Sequence, residues 1–156
     1  MTETSQPQAP RPTSSLRSEA GMTMIELMAT MAIVGSLASI AVPKYHEITD
    51  AARVARAIGD IQAIQSTLDT RDTLPDVLAT AGISLRDPWG QPYVYVKFAT
   101  GGVPRTDRFG VPVNNTYDVY SLGRDGATSG SLNAGPSLDD VVRASDGGWI
   151  GAASRF

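Results

Sequence analysis

At 156 residues the chain has room for one modest domain plus an anchor, and a formal net charge of −3 with no basic cluster argues against nucleic acid as its main partner. The absence of cysteine excludes disulfides, thiol nucleophiles and thiolate metal sites, and the single histidine, His46, leaves little for a histidine metal cluster or a Ser-His-Asp triad. These exclusions turn the reading away from enzymes and toward a structural or binding role.

Residues 1–20 are rich in Thr, Ser, Pro and Gln. Such a stretch cannot bury enough apolar area to offset its ordering entropy, and it reads as disordered. From Met22 to Val42 the only charge is Glu26. At about 1.5 Å per residue this span matches the hydrocarbon core of a bilayer, about 30 Å. The span is apolar all round, which favours a membrane helix over a soluble core helix. The charge inside the run and the lack of a small-x-small cleavage site set it apart from an ordinary secretory signal.

Pro43 removes a backbone donor and crowds the carbonyl of Ser39, so it stops or kinks the helix; the pattern that follows favours a kink. Ala51, Val54, Ile58, Ile61, Ile64 and Leu68 recur at spacings of three and four, which predicts an amphipathic helix to about Leu68 with a sheet covering its stripe. His46 falls on a face expected to be exposed. Pro75 and Gly82 suit the two ends of a short helix over 75–81.

DPWGQP, residues 87–92, is turn chemistry, with Trp89 placed to pack on the long helix. YVYVKF (93–98) and TYDVYSL (116–122) read as strands, the second with Tyr117, Val119 and Ser121 on one face and Asp118, Tyr120 and Leu122 on the other. A long Gly-, Pro- and Asn-rich link joins them as an antiparallel pair. From Gly123 to Gly148 the chain reads mostly as loop, after which Trp149 and Ile150 pack back on the sheet. No internal repeat is evident. The fold class is α+β: a long N-terminal helix packed on a small antiparallel sheet, with a C-terminal loop region.

The segment GMTMIEL, residues 21–27, resembles the processing signal of type IV pilins and type II secretion pseudopilins. Gly35 and Pro43 fall where members of that family often carry the same residues. The resemblance implies that a prepilin peptidase cuts after Gly21 and that the new terminal amine of Met22 is methylated. It also places Glu26 at the family's assembly glutamate. A charge in a bilayer costs about 2.5–3.5 kcal/mol or more, so it needs a partner or a task; the amine of a neighbouring subunit's first residue would supply one. Helix capping is the alternative, since Thr23-x-x-Glu26 fits a capping box.

DPWGQPYVY, YDVYSLGRDG, DDVV and GGWIG together resemble the major pseudopilin of type II secretion. That resemblance implies a pilin-like fold and a calcium ion in the C-terminal loop, with Asp125, Asp139, Asp140 and the backbone carbonyl of Leu122 as ligands. Calcium takes six to eight hard oxygens, which carboxylates on flexible loops supply. The alternative is that Asp125-Gly126 is a tight turn and that Asp139 and Asp140 are helix caps.

The implied organisation is a cleaved leader over 1–21, a transmembrane and assembly helix over 22–42, and a periplasmic domain over 43–156. The implied function is a structural, non-enzymatic subunit of a secretion pseudopilus; a type IV pilus or related surface filament is the alternative. Expected partners are further copies of the chain, the prepilin peptidase, minor pseudopilins and an inner-membrane assembly platform. Lys and Arg flank the span on both sides, at Arg11 and Arg17 and at Lys44, Arg53 and Arg56, so charge alone does not orient it. A cytoplasmic N-terminus follows from the resemblance.

Overall fold

The computed structural model describes residues 21–156; residues 1–20, which hold the expected disorder and most of the expected leader, lie outside the described residues. The chain divides into two units, one ending at Val42 and one beginning at Pro43. Helix α1, Met24–Asp69, contributes to both and contains Pro43.

In the first unit, α1 carries exposed Met24, Ile25, Met28, Met31, Ile33, Val34, Leu37 and Ile40. It is long and apolar enough to cross a membrane, and none of its most apolar window is buried in the protein. Its hydroxyls are satisfied within the helix: Thr30 donates to the Leu27 carbonyl (2.8 Å), Ser36 to Ile33 (2.8 Å) and Ser39 to Ser36 (2.7 Å). Internal satisfaction of polar groups is what a hydrocarbon environment demands.

In the second unit, α1 buries Ala57, Ile61, Ile64 and Leu68, with Val54 and Ile58 packed alongside. The predicted stripe is therefore present, except that Ala51 is exposed and Ala57 takes part. Only the C-terminal turns of the helix lie under the sheet, so the stripe is used there. Each large aliphatic side chain so buried contributes about 1.5–3 kcal/mol.

The sheet has four antiparallel strands in sequence order: β1 Val94–Lys97, β2 Tyr117–Ser121, β3 Val141–Ala144 and β4 Trp149–Ala152. The register pairs Tyr95 with Val119 and Val94 with Tyr120, so alternate residues divide between two faces. One face, with Tyr93, Tyr117, Val119 and Val141, meets the helix. The other, with Tyr120, Val142 and Ala144, is covered by Val113, Leu132 and Ala153. The two faces predicted for β2 are both used.

Two tyrosines tie helix to sheet: Tyr93 donates to Asp60 and Tyr117 to Asp69, each at 2.9 Å. Burial first, then the nearby Asp60 carboxylate, raises the Tyr93 hydroxyl far above its usual range. Burial does the same for Tyr117, with Arg143 opposing and Asp69 assisting, so both remain donors. Trp89 packs against the helix-facing core, as its position in the turn suggests.

Two expectations need correction and a third needs completing. The short helix is a 3₁₀ turn, Leu78–Ala81, which Pro75 does not start, although Gly82 at φ 77° does end it. The segment from Gly123 to Gly148 is mostly loop, as expected, but it also contains β3, a strand whose alternation is hidden by its being buried on both faces. An internal repeat also exists. Asp87 Oδ1 accepts from the backbone of Trp89 (3.1 Å) and Gln91 (2.8 Å), and Asp107 Oδ1 accepts from Phe109 (2.8 Å) and Val111 (2.9 Å). Asp-x-aromatic-Gly-x-Pro thus builds the same turn twice, each closed by a bridge, Arg86 to Pro92 and Thr106 to Pro112. The aromatic residue packs inward in the first turn, whereas Phe109 is 75% exposed in the second.

Candidate functional site

At the head of α1, Gly21 and Met22 are exposed and precede the first helical residue. Thr23 Oγ1 accepts from the backbone N–H of Glu26 at 3.3 Å, and the Thr23 carbonyl accepts from Leu27 at 3.1 Å. This is one arm of a capping box, and it uses the backbone of Glu26. The Glu26 side chain is exposed in the first turn of the helix, where its charge also suits the helix dipole.

The acidic loop belongs to the second unit. Asp125 Oδ1 accepts from the backbone of Ala127 (2.8 Å), forming a tight turn that Gly126 continues at φ 68°. Asp139 Oδ2 accepts the backbone N–H groups of Arg124 (2.8 Å) and Asp125 (3.0 Å), so these two acidic residues are neighbours. Gly123, at φ 65°, allows the approach: a Cβ there would lie 2.5 Å from the Asp139 carbonyl oxygen. Arg124 reaches Asp50 on α1 at 3.2 Å.

Asp140 faces elsewhere. It is fully buried, its Oδ2 accepts from Arg105 Nη2 at 2.6 Å, and the Thr128 hydroxyl donates to the same oxygen. Burial raises the Asp140 carboxyl above its usual value, against the lowering effect of those two hydrogen bonds. Leu122 packs its side chain against the outer-face core.

In this arrangement the three carboxylates do not gather as one ligand set: Asp125 and Asp139 meet, whereas Asp140 pairs with Arg105. Among the described residues no three His, Cys, Asp or Glu side chains gather closely enough to hold a metal. Asp125 and Asp139 are engaged with backbone N–H groups, and Asp140 with a guanidinium. The buried atoms left without hydrogen bonds include Asp140 Oδ1 but also Arg105 Nε and Nη1, which is not an excess of oxygen donors. For Asp125 the tight-turn reading describes the geometry. The capping reading of Asp139 and Asp140 does not, since the nearby 3₁₀ turn, Gly135–Ser137, precedes them.

Sequence reasoning missed Arg105, which stands 35 residues from Asp140 and has no local pattern that marks it as buried. It also missed Asn114, Asn115 and Asp146. Asp146 accepts from the backbone and side chain of Asn115, at 2.8 and 2.6 Å, and Asn114 accepts from the backbone of Asp146 at 2.9 Å. His46 is exposed, with Tyr45 beside it.

The prokaryotic N-terminal methylation motif matches residues 16–42. Type II secretion system core protein G of Pseudomonas aeruginosa is 32% identical over 143 residues, covering 75% of this chain and 92% of that protein. The protein of the same name from Vibrio cholerae is 27% identical, covering 74% of this chain and 87% of its own length. A fimbrial protein of Pseudomonas aeruginosa is 36% identical over 55 residues, covering 35% of this chain and 36% of that protein. No solved structure matches the chain.

Proposed function

This chain belongs to the family of type II secretion system core protein G, and we propose that it is cut after Gly21, methylated at Met22 and assembled into a pseudopilus from the inner membrane. Its role is that of a pseudopilin, a structural subunit with a single membrane-anchoring helix. The observation that carries this reading is 32% identity extending over 92% of a core protein G, joined to a methylation motif at the head of α1. The fimbrial likeness covers 35% of the chain, so the surface-filament alternative has support over a third of the sequence and the pseudopilus over most of it.

The finer parts of the proposal follow from chemistry. Once the leader is removed, Met22 carries a cationic amine. Glu26 then offers that amine of a neighbouring copy a partner inside the bilayer, where an unpaired charge is expensive. The domain from Pro43 onward lies in the periplasm, and the N-terminus faces the peptidase on the cytoplasmic side. Partners are other copies of the chain, the prepilin peptidase, minor pseudopilins and the assembly platform. No catalytic role is assigned.

Processing is the test. Intact mass of the membrane-extracted protein should correspond to a chain starting at Met22 and heavier by one methyl group. A mature chain that retains residues 1–21 refutes the reading.

A further inference from the structure

We propose that the C-terminal loop carries its own cation, the guanidinium of Arg105, and that the folded domain therefore closes without calcium. The starting observation is the buried ion pair: the Arg105 side chain is 5% exposed, that of Asp140 is 0% exposed, and the two meet at 2.6 Å.

Arg105 is fixed from several directions. Its backbone N–H donates to Asp118 Oδ2 at 2.8 Å, its guanidinium lies 4.3 Å from the centre of the Tyr120 ring, and Nη2 also reaches the Ser129 carbonyl at 3.3 Å. Asp118 is itself held by Asn114 at 2.7 Å. One guanidinium thus joins the long β1–β2 link, the loop at 128–129 and the residue leading into β3. A planar, permanently charged group with several donors suits that task better than a lysine would.

The same geometry opposes a divalent ion at Asp140. An ion bound there would stand against a positive charge already at hydrogen-bond distance from the carboxylate. Admitting it would require Arg105 to leave a buried position. Asp139, the adjacent carboxylate, already receives two backbone N–H groups, so it too has a counter-dipole without a metal. A calcium shell needs six to eight oxygens at once, and Asp140 is turned to Arg105, away from the pair that Asp125 and Asp139 form.

The experiment uses the full-length protein extracted in detergent. Melting temperature is measured in calcium and in EGTA, with a calcium titration by calorimetry alongside. The parent should melt at the same temperature in both, and the titration should show no saturable site. Arg105→Met and Asp140→Leu should each lower the melting temperature by roughly 10 °C or more, because each strands a buried charge. The double variant should melt closer to the parent than either single variant, since it strands neither. A parent that melts several degrees higher in calcium, or that binds calcium saturably, overturns the proposal; so do strictly additive losses in the double variant. If the single variants do not fold, the parent comparison decides. A calcium-dependent parent would leave the pseudopilin reading intact, because that reading stands on processing at Met22.

Discussion

Asp146 occupies the left-handed region, at φ 51°, in the turn between β3 and β4, and Ser145 before it does the same at φ 52°. Non-glycine residues hold that conformation only where the surroundings impose it. Here Asn114 and Asn115 impose it, by three hydrogen bonds across 31 or 32 residues of sequence. The bonds from the Asn115 backbone and side chain hold the Asp146 carboxyl below its ordinary value of 3.8. A lowered folded-state value contributes stability that is present above the unfolded value and lost as pH falls through the folded one. Asp146→Asn should therefore lower the melting temperature at pH 7 and flatten its decline below about pH 4. The shift should be a few degrees at most, since the Asp146 side chain is 39% exposed and solvent screens it. Melting curves of parent and variant from pH 3 to 7 measure this; parallel curves would rule it out.

Helix α1 shows how one element serves two environments. Within the second unit its turns are used unequally: Ile61 is fully buried against Tyr93, Tyr117 and Val119, whereas Ile48, in the same helix, is exposed. Ile61→Ala should cost about 2–5 kcal/mol, the transfer of the lost atoms plus the cavity left behind. Ile48→Ala should stay within about 0.5 kcal/mol. Chemical denaturation of the two variants tests the contrast, and equal losses would contradict the packing described. The sheet is legible in the sequence to the degree that its strands alternate. Strands β1 and β2 announced themselves by aromatic and β-branched alternation. Strand β3 did not, because residues packed on both faces show no alternation.

For the whole molecule, the question is what Glu26 does once the proposed cleavage after Gly21 has taken place. The Thr23 cap engages the backbone N–H of Glu26, so Glu26→Ala leaves that hydrogen bond available. Removing the charge also lowers the cost of residence in a bilayer by about 2.5 kcal/mol or more. Membrane insertion of Glu26→Ala should be undiminished while pseudopilus assembly falls sharply, by at least tenfold in filament recovered after shearing. A variant that inserts and assembles like the parent would reduce Glu26 to a capping residue.

The sequence by itself determined the anchor, the N-terminal methylation motif, the α+β class and the first two strands, because each rests on local pattern. An apolar run has a length, a helix stripe has a period of 3.6, a strand has a period of two, and the methylation motif has a glutamate at a fixed offset from its glycine. It also contained the repeated Asp-x-aromatic-Gly-x-Pro turn, which became evident once the two Asp side chains were seen accepting the same backbone donors. Only the tertiary structure decided the chemistry of the acidic loop. Asp125, Asp139 and Asp140 are close in sequence, and proximity suggested one shared ligand set. The fold instead brings Arg105 to Asp140 across 35 residues and turns Asp139 toward the backbone of Arg124 and Asp125. Which charge neutralises a buried carboxylate is set by what the folded chain places beside it, and no local pattern in the sequence records that.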